Sequence, residues 1–588
     1  MSVDYAAARR WRGVLPTLGA LVLVVVVAFL APAEGYYLNI FMQAATYAIA
    51  VSGLVVVLGY CGQISLAQAA FFRLGAYGVA LGTTHLGLGF FPALLLSGAF
   101  AMVLGLLLGV ASLQLGGHYL AMVTIAFQEI LTLVLTNWIG LTNGPDGVRN
   151  IPRPAFLGIS LANGHRFLAL CLVTLVLVTF AVWRLKTTRL GRAMQAVRDN
   201  ELAASTAGVN SFGIKVISFG ISALIGGIGG GLFASGFQYI SPDQFTFSES
   251  IVLLTMALLG GSQSPFGSLI GTSLLIILPE WLRFLKQIYL AVYGASVILL
   301  MVFLPEGLWG ISLQRARRRA RPIEGEVAPL PLLAATNNGD SSEVLLKTEG
   351  LSKHFGGLKA LDLVDLEVRR GSVHALIGPN GSGKTTLINV VTGLYRPTSG
   401  KVTFLGNDVT HAAPHRRNHV GLARTFQNIR LFRGMSVLEN VMVGAERRHN
   451  DVAMHPQAVV ERALAALDFV GLRGDAHRQV ADLSYGYQRY VEVARALAAS
   501  PDVLLLDEPG AGLNLTEKHE LGELLRRLKG HGLTILIIDH DMRLVEQVAD
   551  YITVLNFGRR IADGLPREVL THPDVVAAYL GEARHEAA

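Results

Sequence analysis

Charge and cysteine are both scarce in this sequence. Of its 588 residues only 15% are charged, whereas 52% are apolar, and the mean hydropathy is +0.47. This composition is typical of a chain that lies partly in lipid. The two cysteines, Cys61 and Cys171, stand in or beside apolar segments. They therefore do not predict the disulfide framework of a secreted protein.

The few charges are also unevenly placed. Residues 13–183 contain very few ionisable side chains, whereas residues 345–588 have the mixture of an ordinary globular protein. The formal net charge of +7 and the pI of about 9.3 would suit a nucleic-acid partner. The excess base clusters beside apolar segments, however, which favours membrane orientation. We therefore expect membrane lipid as a partner and no nucleic acid.

Apolar segments predict a membrane domain with about eight to ten spans. The first segment, 14–31, follows three arginines and ends at a sequence similar to a signal-peptidase site, but its length favours a retained helix. The segment 250–278 is broken at 260–265, which leaves either two spans or a re-entrant hairpin. The remaining segments lie near 38–58, 69–84, 91–112, 119–138, 167–183, 216–236 and 288–304.

Basic clusters predict the orientation of these spans. The clusters at 9–12, 184–198 and 315–321 are expected in the cytoplasm, which places the loop 142–154 outside. Arg73 and Glu129 stand alone in apolar surroundings. An ionisable group there is expected to face the bundle interior or water. Each lies either along the solute path or in a structural, paired or interfacial position.

A change of composition marks a linker at 312–345. Five arginines are followed by three prolines and a polar run. This pattern predicts a flexible tether whose basic end lies near anionic lipid. Nucleic-acid binding is the alternative for a basic run, but the position beside a membrane span disfavours it.

A glycine-rich run between an apolar strand and a helix fits the phosphate-loop pattern G-x-x-x-x-G-K-S/T. Backbone N–H groups of such a loop bind nucleotide phosphates at the positive end of the helix dipole. Lys384 is expected to neutralise phosphate charge and Thr385 to hold Mg²⁺. A chance turn would not need the strand, lysine, hydroxyl and helix in this order. The loop consists of Gly378, Pro379, Asn380, Gly381, Ser382, Gly383, Lys384, Thr385 and Thr386.

Carboxylates follow a second apolar strand. The run 503–506 leads into Asp507 and Glu508. Phosphoryl transfer depends on positioning and on charge neutralisation. We therefore expect Asp507 to hold Mg²⁺, usually through water, and Glu508 to polarise the attacking water. A further apolar strand, 533–538, ends in Asp539 and His540; a histidine at the end of a strand is often structural.

The segment Leu483-Ser484-Tyr485-Gly486-Tyr487-Gln488-Arg489 resembles the signature of ABC ATPases. The resemblance covers about 345–583 and implies an α/β P-loop ABC ATPase domain that binds ATP and Mg²⁺. It implies that Ser484 and Gly486 cap the γ-phosphate of ATP held by an opposite ATPase domain, so that hydrolysis needs two such domains. Tyr487 stands where Gln is usual, and Asn514 where many members have Asp.

Three further positions match the motifs of that family. The resemblance implies that His540 is the switch histidine at the γ-phosphate. Gln427, in the run Arg424-Thr425-Phe426-Gln427, corresponds to the glutamine that links Mg²⁺ to the permease interface. Phe355 stands where the family places an aromatic ring under adenine, although a core phenylalanine is the alternative.

The membrane segment, about 35–311, resembles the permeases of branched-chain amino-acid ABC importers. The resemblance rests on the blocks 62–72, 75–77, 113–119, 141–145 and 305–310, with departures at 67–68 and at Arg73. Between two spans, the polar stretch 189–208 resembles the loop by which importer permeases dock a short helix on their ATPase. A solvated amphipathic helix is the alternative. The coupling residues implied are Glu201, Ala203, Ala204 and Gly208.

Together these patterns predict a polytopic α-helical membrane domain followed by a P-loop ATPase. The expected boundaries are 1–311 for the permease, 312–345 for the linker and 346–588 for the ATP-binding domain. The resemblance implies half of an ABC importer for branched-chain amino acids or similar small polar solutes. Urea, short amides and small aromatic acids are the alternative solutes. An ABC exporter, a soluble ABC ATPase and a ligand-gated channel are the competing classes.

The same resemblance implies partners and a location. Solute is expected to come from a periplasmic binding protein. The complex would be completed either by a second permease and ATPase pair or by a second copy of this chain. We expect a multi-pass protein of the bacterial inner membrane with its ATPase domain in the cytoplasm.

Overall fold

The chain forms two compact units. In the computed structural model, the described residues are 35–111, 118–156, 159–282, 288–303, 307–308, 343–446 and 455–580. One unit comprises Met1–Arg198 and Ser211–Arg319, and the other comprises Asp199–Asn210 and Ala320–Ala588. The expected span 14–31, the basic clusters at 9–12 and 315–321, most of the linker 312–345 and most of the blocks 113–119 and 305–310 lie outside the described residues. The expected domain boundaries stay predictions.

The first unit is helical, as its long apolar segments predict. Five described helices are long and apolar enough to cross a membrane, at Gly35–Tyr60, Phe90–Ala111, Tyr119–Asn137, Gly164–Lys186 and Ser211–Phe237. They confirm a membrane domain with several apolar helices, whereas the number of spans stays a prediction. The break expected at 260–265 separates two helices, which end at Gly260 and begin at Pro265.

The helices of this half, in chain order, are α1 Gly35–Leu54 with a π-helical turn Val55–Tyr60, α2 Gln68–Thr84, α3 Phe90–Ala111, α4 His118–Asn137, α5 Ile139–Thr142, α6 Gly164–Lys186, α7 Arg189–Asp199, α8 Glu201–Thr206 (in the second unit), α9 Ser211–Phe237, α10 Phe247–Gly260, α11 Pro265–Leu282 and α12 Tyr289–Phe303. Short strands β1 Val148–Arg149 and β4 Tyr239–Ile240 pair with each other, as do β2 Ala155–Phe156 and β3 Ile159–Ser160.

A run of glycines lets α9 pack at the centre of this unit. Helix α9 contacts α1, α2 and α3. A Cβ placed on Gly229 would lie 2.9 Å from the Thr46 carbonyl oxygen, and one on Gly227 would lie 3.1 Å from the Ala101 Cβ. Larger side chains would therefore force the helices apart. Close approach through small residues is the usual way in which membrane helices pack.

The second unit contains two sheets. Its strands are β5 Val344–Phe355, β6 Leu358–Arg369, β7 Val373–Ile377, β8 Ser399–Phe404, β9 Asn407–Asp408, β10 Leu422–Arg424, β11 Val503–Asp507, β12 Thr534–Ile538, β13 Tyr551–Asn556 and β14 Arg559–Gly564. One sheet has the order β10-β11-β12-β7-β13-β14, and the other has the order β6-β5-β8-β9. In the larger sheet only β14 runs antiparallel to its neighbour.

Helices cover both faces of the larger sheet, which explains why β7, β11 and β12 are mostly apolar. Leu387 of α13 packs on one face, with Leu376 and Leu505. Val493 of α17 and Leu521 of α18 pack on the other face. The helices of this half are α13 Lys384–Val391, α14 Pro414–Val420, α15 Val437–Ala445, α16 Pro456–Phe469, α17 Tyr485–Ala498, α18 Leu515–Gly530, α19 Met542–Val548, α20 Pro566–Val569 and α21 Pro573–Leu580.

Candidate functional site

Parallel pairing brings the ends of three strands to one edge of the larger sheet. Ile538 of β12 lies beside Leu376 of β7, and Asp507 of β11 lies beside Ile538. The carboxyl ends of β7, β11 and β12 therefore meet. In open α/β sheets, ligands bind at this edge. The glycine-rich loop follows β7 here, Glu508 follows β11, and His540 follows β12 after one residue.

The loop 378–383 wraps around the start of helix α13. Gly378 and Gly383 have φ values of 152° and 103°, and a Cβ on Gly378 would lie 2.7 Å from the Ser382 Oγ. Only glycine fits there without strain. The Lys384 ammonium donates hydrogen bonds to the carbonyl oxygens of Gly378 (2.7 Å) and Pro379 (2.9 Å). Burial lowers its pKa, and the charges of Glu508 and Asp507 oppose that shift.

Asp507 is buried in an ion pair with Arg424. The Arg424 Nη2 lies 2.8 Å from the Asp507 Oδ2, and both side chains are almost fully buried. Burial lowers the pKa of the Arg424 guanidinium, and the Asp507 charge opposes that shift. The other carboxylate oxygen, Oδ1, has no hydrogen-bond partner among the described residues. A buried carboxylate oxygen without a hydrogen-bond donor is a suitable ligand for a hard cation such as Mg²⁺.

Glu508 brings three of the predicted residues together. Its Oε2 accepts a hydrogen bond from the Gln427 Nε2 at 2.9 Å and lies 3.6 Å from the His540 Nδ1. Its backbone φ is +45°, a conformation that costs a residue other than glycine about 1–3 kcal/mol. The backbone N–H of Glu508 donates to the Ile538 carbonyl oxygen at 2.8 Å and fixes that turn. The carboxylate is thus held from two sides beside the phosphate loop.

A buried Arg–Glu–Arg network holds the loop that carries Gln427. Arg489 donates to the carbonyl oxygens of Phe426 (2.5 Å) and Gln427 (2.7 Å) and pairs with Glu492 at 3.0 Å. Glu492 also lies 3.6 Å from Arg495. Burial raises the pKa of the Glu492 carboxyl, and both arginines oppose that shift. These residues were not predicted from the sequence, in which the available signal is three charges at three-residue spacing on α17.

The aromatic position Phe355 is surface-exposed rather than part of the core. Its side chain is 43% exposed, and its ring meets Tyr395 edge-on at 5.5 Å between centroids. The Lys353 ammonium lies 5.0 Å from the Phe355 ring centroid. The alternative of a core phenylalanine is therefore wrong. Tyr395, a second aromatic ring at this position, was missed because it follows the phosphate-loop helix at no fixed motif spacing.

The signature segment begins helix α17. Ser484 is exposed at the N-cap, and Gly486 is buried. A Cβ on Gly486 would lie 2.7 Å from the Glu517 Oε1. Asn514 and Glu517 form a capping box at the start of α18, with both hydrogen bonds at 2.9 Å. Asn514 therefore has a structural role that asparagine and aspartate fill equally well.

The segment 199–210 belongs to the second unit and packs within it. The Asp199 Oδ2 accepts the backbone N–H of Gly434 at 2.6 Å, and the Gly208 carbonyl oxygen lies 2.9 Å from the His419 Nε2. Gly208 has a φ of +90°. Ala203 and Ala204 are buried, whereas Glu201 is exposed. Small residues thus allow a close approach. The hydrogen-bond partners of the segment, Gly434 and His419, were not predicted from the sequence.

A small pocket lies between this segment and residues near the carboxyl edge of the larger sheet. Its lining includes Ala203 and Ala207 together with Arg424 and Arg495. Arg424 is the partner of Asp507, and Arg495 is a member of the network that holds Gln427. The segment 199–210 therefore shares a pocket with the ion-pair partner of Asp507 and with a member of the network that holds Gln427.

Comparisons with known proteins match a permease family in the first half of the chain and ATP-binding families in the second half. Residues 36–304 match the family model for the permease component of the branched-chain amino acid transport system. Residues 361–511 match the ABC transporter model, and residues 559–585 match the model of the branched-chain amino acid ATP-binding cassette transporter.

Individual relatives cover the second half. The chain is 42% identical over 254 residues to the high-affinity branched-chain amino acid transport ATP-binding protein LivG of Salmonella typhimurium; the match covers 41% of this chain and 100% of that protein. It is 40% identical to BraF of Pseudomonas aeruginosa over the same shares. A solved nucleotide-free ATP-binding cassette from an ABC transporter is 36% identical, with a TM-score of 0.37, over 41% of this chain and 100% of that one.

Proposed function

The chain belongs to the branched-chain amino-acid ABC transporter family, and on this premise we propose that it is the fused permease and ATPase of an importer. Its second half is an ABC ATPase that binds ATP, and ATP hydrolysis is coupled to transport through the membrane. Branched-chain amino acids are the proposed solutes, because the relatives of the ATPase half are named for their transport. The proposed location is the bacterial inner membrane, with the ATPase in the cytoplasm.

The phosphate loop is proposed to bind the β- and γ-phosphates of ATP. Residues 378–386 supply the backbone N–H groups and the positive end of α13, and Lys384 supplies a charge. Thr385 and Asp507 would hold Mg²⁺, which neutralises phosphate charge when it is bound. The Asp507 oxygen without a hydrogen-bond partner supports this assignment. Phe355, together with Tyr395, is proposed to contact the adenine.

Glu508 is proposed to polarise the water that attacks the γ-phosphate. The observation that carries the proposal is the meeting of Gln427 and His540 on one oxygen of this carboxylate, at the edge where the phosphate loop lies. Gln427 would sense the nucleotide, and His540 would contact the γ-phosphate. Positioned charge of this kind supplies most of the catalysis in phosphoryl transfer.

Hydrolysis is proposed to need two ATPase domains. Ser484 and Gly486 would cap the γ-phosphate bound by an opposite domain, and the exposed position of Ser484 at the start of α17 supports this. The opposite domain comes from a second copy of this chain or from a different permease and ATPase pair. The domains proposed are 1–311, 312–345 and 346–588.

The segment 199–210 is proposed to couple ATP binding to the permease. Ala203 and Ala207 of the segment line a pocket together with Arg424 and Arg495. Arg424 pairs with Asp507, and Arg495 donates a hydrogen bond to the Arg430 carbonyl oxygen in the loop after Gln427. A shift of those residues on ATP binding would move the segment. Glu201, Ala203, Ala204 and Gly208 are the proposed coupling residues.

Uptake into proteoliposomes tests the direction and the solute. The complex is purified from its native membrane, reconstituted with its periplasmic binding protein and given ATP on the cytoplasmic side. Import of labelled leucine, isoleucine or valine is expected. Import of urea alone would overturn the proposed solute, and outward movement alone would overturn the importer.

A further inference from the structure

A buried cation lies between helices α2 and α4. Arg73 of α2 is 0% exposed. Its Nη1 donates a hydrogen bond to the Thr132 hydroxyl of α4, and its guanidinium carbon lies 5.7 Å from the Phe245 ring centroid. Its Nε and Nη2 have no hydrogen-bond partner in the part of the chain that the structure describes. Because unsatisfied charge is costly in an apolar bundle, these two N–H groups call for an acceptor.

The positions of the two nitrogens without a hydrogen-bond partner indicate which acceptor would fit them. The N–H bonds of Nε and Nη2 run side by side along one edge of the planar guanidinium. A carboxylate accepts such a pair through both oxygens, which gives a strong and oriented contact. Glu129, the other predicted charge of this region, is exposed and accepts no hydrogen bond from either nitrogen. No carboxylate of the described residues therefore pairs with this edge.

Two more open polar groups lie on the same helix faces. Tyr77 follows Arg73 by one turn of α2, is 2% exposed, and has a hydroxyl without a partner among the described residues. Gln128 precedes Thr132 by one turn of α4 and is fully buried; its Nε2 likewise has no partner. Residues four apart share a helix face. The open groups of this Arg73 cluster (Arg73, Tyr77, Gln128) can all donate hydrogen bonds to an anion.

The cluster is continuous with a polar line through the unit. Helix α4 carries polar side chains at every fourth residue, Thr124, Gln128 and Thr132. The first and the last of them lie about 12 Å apart along the helix. The Thr124 hydroxyl accepts the backbone N–H of Leu66 at 3.1 Å. The Ser250 hydroxyl lies 2.7 Å from the Leu66 carbonyl oxygen and 2.5 Å from the Gln128 Oε1. Leu66 belongs to the irregular stretch before α2; such backbone in membrane domains is either buried in protein or lines a cavity.

We propose that the Arg73 cluster binds the carboxylate of the transported solute. The guanidinium would take both carboxylate oxygens, while the Tyr77 hydroxyl and the Gln128 amide would donate to them. The proposal rests on the proposed importer function and deepens it, because it names the group by which the solute is recognised. A site of this kind selects amino acids over urea and amides, which have no carboxylate.

The test measures leucine uptake per ATP hydrolysed in the reconstituted complex, so that differences in folding and assembly cancel. The variants are Arg73→Gln and Tyr77→Phe. Tyr77→Phe breaks no hydrogen bond within the chain, since the hydroxyl has none among the described residues. Thr179→Val is the matched control. Its hydroxyl is also buried and has no partner within the described ranges, but it lies on α6, which packs on α1. Equilibrium binding of leucine and of leucinamide to the purified chain is measured in parallel.

Losing a hydrogen bond to a charged group is expected to lower uptake per ATP about 10- to 100-fold in Arg73→Gln, and losing a neutral one about 2- to 10-fold in Tyr77→Phe. Thr179→Val should match the wild type, and wild-type chain should bind leucine more tightly than leucinamide. Equal uptake per ATP in Arg73→Gln, or a loss of uptake strictly parallel to hydrolysis, would overturn the site.

Failure of the importer proposal gives a different result. A wild-type complex that imports no amino acid refutes the proposed function. The binding measurement then decides the site by itself. Leucine binding that is absent from the wild-type chain, or that is equal in Arg73→Gln, overturns the Arg73 cluster, whereas carboxylate-dependent binding lost in Arg73→Gln supports it.

Discussion

Replacing Glu492 by Gln should destabilise the second unit by about 3–5 kcal/mol, because it leaves two buried guanidinium groups without their counter-charge. The Glu492 side chain is 0% exposed and pairs with Arg489 at 3.0 Å and Arg495 at 3.6 Å. For a unit of this size, each kcal/mol shifts the thermal midpoint by about 2–4 °C. The expected fall is therefore about 6–20 °C.

The chain offers a matched control for this variant. Glu523 and Arg526 also pair at i,i+3 on a helix, at 2.6 Å, but their side chains are 50% and 43% exposed. Such surface pairs contribute at most about 1 kcal/mol. Glu523→Gln should therefore move the midpoint by no more than about 4 °C. The two variants remove the same charge from the same kind of pair and differ in burial.

Loss of Glu492 should also slow hydrolysis below the melting range. Arg489 fixes the backbone of Phe426 and Gln427, and a catalytic group displaced by about 1 Å can cost about 100-fold in rate. The assay is heat inactivation of ATP hydrolysis in the purified complex at a fixed heating rate, with the hydrolysis rate read at low temperature. Equal midpoints for Glu492→Gln and Glu523→Gln would refute the assignment of this network.

Three further outcomes are expected. Burial lowers the pKa of His374 from its ordinary 6.5 to about 4, so the folded state binds fewer protons than the unfolded one, and about 3 kcal/mol of stability should be lost as the pH falls from 6.5 to 4. In a series of thermal midpoints measured against pH, His374→Gln should reduce this loss of stability at low pH. The control His519→Gln, at an exposed histidine, should leave the loss unchanged. An equally steep loss in both variants would contradict the assignment. Gly208→Ala puts a Cβ at a φ of +90° and 2.7 Å from the Asn418 Oδ1; uptake should fall while solute-free hydrolysis persists, and unchanged uptake would remove the coupling role. The native mass of the complex should account for two ATPase domains, and an active complex with one would contradict the shared ATP site.

Local motifs were predictable because their chemistry is written in consecutive residues. The phosphate loop, Asp507 with Glu508, and the signature segment each combine a strand or helix pattern with residues at fixed spacing. The convergence of the phosphate loop with Asp507 and Glu508 follows from the parallel sheet, since strands β7, β11 and β12 end at one edge. The expected roles of these residues stay predictions, while their geometry agrees with them.

Contacts between distant segments were not predictable. Arg424 pairs with Asp507 across 83 positions of the chain, and Arg489 reaches the Gln427 carbonyl across 62. No local sequence pattern indicates such pairs, because they form only when distant segments of the chain pack together in the folded protein. Asn514 keeps a capping role with Glu517 that an aspartate would also fill, so the departure leaves this contact intact. The exposure of Phe355 and its contact with Tyr395 likewise depend on how the end of β5 meets the loop after α13.

The central claim is that hydrolysis at Glu508 drives uptake, and Glu508→Gln tests it most directly. Amide and carboxylate have the same shape, so the variant should still bind ATP, but it cannot polarise water as an anion. In proteoliposomes with ATP on the cytoplasmic side, the variant complex should retain bound nucleotide and take up no solute above the level without ATP. Uptake equal to that of the wild type would contradict the account.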